Sequence, residues 1–474
     1  MRDLAFVAFL LALVGLGLRR PFLLVLVYVY IDIVAPQRLT YYLLNALPIS
    51  LIAVALAVGG WLLADVKRDV RVAPRQALIA LLLIYCGLTT LTADFPIEAR
   101  EKWDWVWKAL AFAAFLPLTL RTRLRIEALL TVMVLSASSI IIVGGIKTLA
   151  SGGGYGTLNL MVDNNSGIYE GSTISTVAIA IVPIIAWLAR YGTIFTRDWR
   201  VKGFALALGF ACLLIPIGTS TRTGLLCIGL VALLSLRNTR RKALYLSAMA
   251  AAALVAVPFL PSAFTDRMST IKTYQADESA STRLAVWAWT SEFAKEHPFG
   301  GGFDAYRQNH IVYDLAQKDG SGPKLEIDKA RAYHSAYFEM LGEQGYPGLA
   351  LWLTISVAGL LRMEVLRRRH RTGEEAWAGS LAGALQTAHL VYLLGAAFIA
   401  IAFQPFIYML IGAQIGLDTY LARRRAAAAE KGRRKRPVPI PVRAELVEAR
   451  PALPSGGRPS TSSGRTGWAS ALDA

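Results

Sequence analysis

Long apolar blocks alternate along this chain with short polar clusters. Thirteen apolar stretches can be drawn, at roughly 4–18, 21–35, 47–64, 76–93, 103–120, 126–148, 172–190, 203–218, 222–236, 243–261, 337–361, 380–403 and 405–422. Runs of this kind predict membrane-spanning helices, whose backbone polar groups are all satisfied within the segment. The pattern predicts an all-α polytopic membrane protein of about 12–13 transmembrane helices, the first two short enough to form a tight hairpin or to tilt. Its expected parts are ten spans in 1–262, one large external loop in 263–334, three further spans in 335–422, and a disordered basic tail in 423–474.

The polar clusters set the orientation. Lys and Arg alternate by loop: 22 fall on one side, from Arg19 and Arg20 through Arg362 to Arg371. The other side carries only seven outside its long loop: Arg2, Arg38, Arg100, Lys102, Lys108, Lys147 and Arg222. Positive charge is retained on the cytoplasmic side, so the long loop and the N-terminus are expected outside and the C-terminus inside. Composition then changes meaning. A net charge of +18 in a soluble protein would suggest nucleic acid; here it is a topology signal, and no nucleic-acid partner is expected. Mean hydropathy of +0.46 and 55% hydrophobic residues agree with a membrane chain. Arg19-Arg20-Pro21 follows the first apolar run with no small-residue cleavage site, so that run is expected to be a span rather than a cleaved signal.

The long loop from about Pro261 to Tyr333 is nearly neutral, with nine Lys/Arg and ten Asp/Glu between Ser262 and Arg331. A helix capped by Ser281 or Thr282 and running past Leu284, Trp287 and Phe293 is expected to stop before Pro298, with Trp287 and Trp289 at the lipid surface. The glycine cluster Pro298-Phe-Gly-Gly-Gly-Phe303 follows. A second external segment, from Ser151-Gly-Gly-Gly-Tyr-Gly to Asp163-Asn-Asn-Ser-Gly167, reads equally as a lid or a connector. From Arg423 twelve Lys/Arg oppose four Asp/Glu among Ala, Pro, Ser and Gly, the composition of a solvated tail whose basic start, through Arg436, suits anionic lipid head groups.

Few residues carry candidate chemistry. Cys86, Cys212 and Cys227 lie in apolar runs without a CxxC partner, so no disulfide framework and no cysteine metal site are expected. Neither HExxH nor a Walker loop is present, and the five histidines have no metal-ligand spacing, so no metal and no cofactor are expected. His370 sits in an arginine run and is expected to be solvated; His389 falls within a span and reads as a hydrogen-bonded core residue. Arg222 begins the ninth apolar stretch in Gly218-Thr-Ser-Thr-Arg-Thr-Gly224. Arginine at membrane depth costs roughly 2.5–3.5 kcal/mol on insertion scales, which marks a functional position. With a cap from Ser220 or Thr221 and the positive end of a helix dipole, it makes an anion site suited to phosphate. Arg283, expected in the first turn of the loop helix, is poorly placed for that helix's dipole and is a second anion candidate. Arg331 is a weaker one, with Glu343 and Tyr337 as further supporting residues. His334 stands where the charged loop meets the next apolar helix and is a candidate base. Two arginines and a histidine fit a sugar carried on a lipid diphosphate, with the arginines neutralising the leaving group and His334 taking the proton of an acceptor hydroxyl.

Taken in order, Thr219-Ser-Thr-Arg-Thr-Gly224, the Pro298–Phe303 cluster and His334-Ser-x-x-Phe-x-x-x-x-Glu343-x-Gly345-x-x-Gly348 resemble the O-antigen ligase and O-antigen polymerase superfamily. The N-terminal Met-Arg-Asp-Leu-Ala, Arg19-Arg-Pro21 and Ala35-Pro-Gln-Arg-Leu-Thr40 resemble its putative O-glycosylation ligases found with exosortase A systems. The resemblance covers about residues 1–420. It implies a metal-independent, inverting glycosyltransferase of the bacterial inner membrane with an undecaprenyl-diphosphate-linked glycan donor. It also implies an acceptor that is a glycan, a lipid or an exported protein, with Arg222 and Arg283 on the diphosphate and His334 as base. Ser335 stands where many members have Asn. A glycan polymerase and a flippase for the same lipid remain open beside the ligase.

Overall fold

The computed structural model describes residues 2–67, 70–153, 167–239, 241–256, 258, 260–269, 278–316 and 323–434. Its first compact unit is Met1–Ala426; of the second, Ala427–Ala474, the end of the last helix is described. Each apolar stretch coincides with a helix. These are α1 (Arg2–Arg19), α2 (Phe22–Val34), α3 (Ile49–Ala64), α4 (Pro74–Leu91), α5 (Pro96–Thr119), α6 (Arg123–Ser151), α7 (Gly171–Tyr191), α8 (Trp199–Gly218), α9 (Arg222–Ser235) and α10 (Lys242–Ala256). The long loop folds into α11 (Ser262–Ser269), α12 (Glu278–Glu296) and a hairpin of β1 (His310–Ala316) and β2 (Pro323–Lys329), before α13 (Ala336–Arg369), α14 (Ala376–Ala396) and α15 (Pro405–Arg434). Among the described residues five helices, α4, α6, α7, α8 and α13, are long and apolar enough to cross a membrane, and α2, α3 and α9 are shorter apolar helices. Lengths and composition are those of a membrane protein. The core is one continuous apolar cluster running from α1 to α15.

Three expectations are corrected. The chain is not purely helical: β1 and β2 pair antiparallel, from His310 opposite Lys329 to Ala316 opposite Pro323. Alternating side chains such as Ile311, Tyr313 and Ile327 suit a pleated surface, and Ile311 packs into a small separate core with Val286 and Tyr333. The fourteenth helix ends at Ala396 rather than 403. Residues 397–404 are apolar yet non-helical, and their carbonyls and amides are taken up by side chains: Tyr392 Oη donates to Ile401 O (2.9 Å), Tyr408 Oη to Ala402 O (3.0 Å), and Ala402 N donates to Glu339 (2.9 Å). Irregular backbone among apolar helices survives where the protein satisfies it or where it lines a cavity. Finally, helix continues through Arg423 to Arg434, where a disordered tail was expected; residues 435–474 lie outside the described residues, as do 154–166 of the glycine-rich segment.

The helix after His334 is broken at Gly345 (φ 61°, ψ −167°), a backbone region essentially restricted to glycine. The break is clasped by the glycine cluster. Gly301 N donates to Gly342 O (3.0 Å), Gly302 N to Glu343 O (3.0 Å) and Tyr346 N to Pro298 O (2.9 Å). Tyr85 of α4 adds its hydroxyl to both Phe299 O and Gln344 O (3.0 Å each), and Thr89 Oγ1 donates to Gln344 Oε1 (2.7 Å). A Cβ at Gly345 would meet Gly300 N and Phe299 C, both at 2.5 Å. Gly373 (φ 87°) has the same backbone handedness but open space around it. Gly373→Ala should therefore cost only about 1–2 kcal/mol of left-handed strain. Gly345→Ala should cost clearly more and lower the thermal unfolding midpoint of the detergent-solubilised protein further, and equal midpoints for the two variants would refute the clasp.

Candidate functional site

A cavity of about 420 Å³ lies among α5, α7, α9, α12, the start of α13 and the 397–404 segment. Arg222, Arg283 and His334, more than fifty residues apart in sequence, all line it. Lys102, Trp105, Glu170, Tyr306 and Glu339 line it too, with Phe398, Ile401 and Phe403 as apolar wall.

Arg222 owes its position to a tight turn. Pro216 lies within α8, and after it Ser220 takes a left-handed backbone (φ 50°) while Thr221 N reaches back to Pro216 O (3.0 Å). Gly224 lets the turn close, since a Cβ there would sit 2.5 Å from Pro216 Cβ. Thr221 is the N-cap of α9, but its side chain does not cap the helix; it donates to Ser175 Oγ of α7 (3.0 Å). The first turn of α9, Arg222 and Thr223, faces the cavity with that cap withheld. The start of α7 differs: Glu170 accepts from Ser172 N (3.0 Å), Thr173 N (2.6 Å) and Thr173 Oγ1 (2.8 Å), placing one carboxylate on the cavity wall.

Arg283 lies deeper in its helix than expected. α12 is described from Glu278, so Arg283 sits beyond the first turn, and the dipole argument for it falls away; it reaches the cavity nonetheless. Trp287 is not a lipid-facing anchor. Its indole Nε1 donates to Tyr333 O (2.9 Å) and its ring stacks on Phe338 at 5.1 Å, tying α12 to the approach to His334. That approach is clamped again by buried Asn309, whose side chain accepts from Arg331 N (2.9 Å) and donates to Arg331 O (2.7 Å).

His334 itself has a left-handed backbone (φ 50°), uncommon for any residue with a Cβ. Ser335 is the N-cap residue of α13, its carbonyl accepting from Glu339 N (2.8 Å). Strain of this kind concentrates where a side chain must be aimed. Burial, then the Arg283 and Arg331 guanidinium groups, push the His334 imidazole down to about 4, with Glu170 opposing them. The ring is therefore neutral at neutral pH and able to accept a proton.

The supporting candidates separate. Arg331 is bound to Asp328 (3.1 Å) and acts on His334 through its charge. Glu343 lies behind the wall, where both its oxygens accept from Lys102 Nζ (2.8 and 2.9 Å). Tyr337 is not part of the lining; it donates to Leu393 O of α14 (3.1 Å). Sequence reading counted Lys102 only as a topology charge and passed over Trp105, Glu170 and Glu339. The available signal was Lys102 and Trp105 three apart on one apolar helix, hence on one face. His389 is a buried residue beside Gln414 (3.1 Å between Nδ1 and Nε2), as expected. His370 is not solvated; it is buried and bonded to Glu375 (3.0 Å). Among the described residues no group of His, Cys, Asp and Glu could hold a metal ion.

The architecture is that of a helical membrane protein with a polar cavity at one end of its bundle. Residues 204–353 match the O-antigen ligase family, which supports the O-antigen ligase superfamily and glycan transfer at a membrane. Residues 1–193 match a family of unknown function, DUF5935. No curated protein matches the chain. The cavity draws Arg222, Arg283, His334 and Glu339 from the first region and Lys102, Trp105 and Glu170 from the second.

The charge picture can be checked directly. With histidine ring nitrogens followed by NMR against pH, His334 should titrate near 4 in the ligand-free protein. Arg283→Ala removes one of the two cations that repel its proton, so its pKa should rise; an unchanged titration would mean that the two side chains do not share the cavity.

Proposed function

We propose that this protein is a metal-independent, inverting glycosyltransferase of the O-antigen ligase kind. It would move a glycan from an undecaprenyl-diphosphate donor to an acceptor hydroxyl on the periplasmic face of the bacterial inner membrane. The observation that carries this reading is the convergence of Arg222, Arg283 and His334 on one cavity. Arg222, with the uncapped first turn of α9 behind it, and Arg283 hold the diphosphate. The anomeric carbon lies between the diphosphate and His334. The acceptor oxygen attacks that carbon from the face opposite the diphosphate; its proton passes to the neutral imidazole, and the C–O bond to phosphate breaks. The departing negative charge stays on the two guanidinium groups.

Electrostatics orders these events. In the empty cavity, burial and then the charges of Arg283 and Arg331 weaken His334 as a base. A bound diphosphate cancels their charge, raises the imidazole's proton affinity, and so brings the base nearer its working range only when donor is present. The acid limb of kcat/KM for donor reports the free protein and should fall near pH 4; the acid limb of kcat should lie higher.

A transfer assay at matched membrane expression tests the whole reading. Wild type should keep activity after divalent metals are chelated. His334→Ala should lose roughly 10²–10⁴ in rate, the usual worth of a positioned base. Arg222→Ala and Arg283→Ala should leave lipid-linked donor to accumulate on the periplasmic side. Accumulation on the cytoplasmic side would instead favour a flippase. Retained transfer in all three variants would refute the site.

A further inference from the structure

The cavity carries its charge unevenly. Beside the arginines, its lining includes Lys102, whose ammonium is held by Glu339 (2.8 Å) and Glu343 (2.8 Å), with Asp304 at 4.0 Å. Three acidic side chains therefore surround one ammonium. Glu339 is the acid of this cluster that lines the cavity, and its carboxylate accepts hydrogen bonds from hydroxyl groups. Glu339 is fixed from both sides, one oxygen on Lys102 and the other on Ala402 N (2.9 Å), so it is a rigid acceptor rather than a mobile one. Three residues along α5 from Lys102, and so on the same helix face, Trp105 lines the same cavity while 40% exposed. Trp103, two residues earlier, is by contrast packed against Gly87 and Phe303.

An exposed indole face beside fixed hydrogen-bonding groups is the chemistry that recognises a pyranose: ring C–H bonds lie on the negative face of the aromatic ring, and hydroxyls meet the carboxylate and ammonium. We propose that Trp105, Lys102 and Glu339 form the subsite for the acceptor, a neutral sugar. On this proposal the region matching a family of unknown function supplies Trp105 and Lys102 to acceptor recognition, and the O-antigen ligase region supplies Glu339, the diphosphate site and the base. The proposal rests on the transferase reading above. The acceptor hydroxyl enters from this wall, its oxygen bonds to the donor's anomeric carbon, its proton goes to His334, and the diphosphate leaves toward the arginines.

Two binding measurements on the full-length protein in nanodiscs separate the two claims. In the first, a panel of neutral oligosaccharides is titrated. Wild type should bind at least one member; Trp105→Ala should weaken that binding ten-fold or more, Trp105→Phe should restore most of it, and Glu339→Gln should weaken it. In the second, inorganic diphosphate is titrated. Binding should be unchanged in Trp105→Ala, which also shows that the variant is folded, and lost in Arg222→Ala. If wild type binds no neutral glycan, or binds it equally with Trp105→Ala, the acceptor subsite is wrong. If diphosphate fails to bind wild type, or binds Arg222→Ala equally well, the transferase reading itself fails, whatever the glycan result.

Discussion

A helix that breaks inside a bundle exposes backbone groups that neither water nor lipid will satisfy, and something in the fold must answer for them. Gly345 creates that debt in α13, and the Pro298–Phe303 cluster answers it with three backbone bonds. Much else depends on this arrangement. The break sets the direction of the short helical segment 336–344, which carries Glu339 and Glu343 and begins two residues after His334. The glycine cluster that meets it also leads on to Asp304, whose amide bonds Glu343, and to Tyr306 of the cavity lining. The residues around the break are glycine because the two backbones approach too closely for a Cβ at either Gly300 or Gly345.

Buried charge imposes the second requirement. Lys102 on α5 is desolvated, and Glu339 and Glu343, one turn apart on the segment 336–344, hold it as a pair of matched acceptors. Removing one partner of a buried pair typically costs about 3–5 kcal/mol. Glu343 also accepts from Asp304 N (3.1 Å), and Glu339 also holds the irregular 397–404 segment. One ion cluster thus joins α5, the loop, α13 and the segment before α15. The cavity's polar lining and its structural staple are the same side chains.

How much of this was legible in the chain itself follows from which interactions are local. Helices announce themselves by apolar run length, and every apolar stretch became one over most of its length. Arg222 and His334 were visible because a cation at the mouth of an apolar run and a histidine at a polar–apolar boundary are costly to place without reason. Contacts between distant segments left no such trace. Nothing near Trp287 says that it will bond to Tyr333 O rather than face lipid, and nothing near Thr221 says that Ser175 will take its hydroxyl from the cap. The hairpin escaped because a polar loop in a helical chain has no apolar run to mark it, and its alternation is short. The 397–404 segment escaped for the opposite reason: it is as apolar as a helix, and its irregular path depends on Tyr392, Tyr408 and Glu339 from elsewhere.

The length of α9 bears on how the donor proposed above would arrive. Its 14 residues span only about 21 Å, against a hydrocarbon thickness of about 30 Å. The apolar helices α2 and α3, with 13 and 16 residues, are also short. Where such helices cross a bilayer, hydrophobic mismatch thins the membrane along their flank. Arg222, at the first residue of α9, then lies below the plane of the surrounding head groups, at the floor of a dimple. On the function proposed above, a lipid drifting into that dimple would bring its diphosphate down to the arginine by lateral diffusion, without leaving the leaflet.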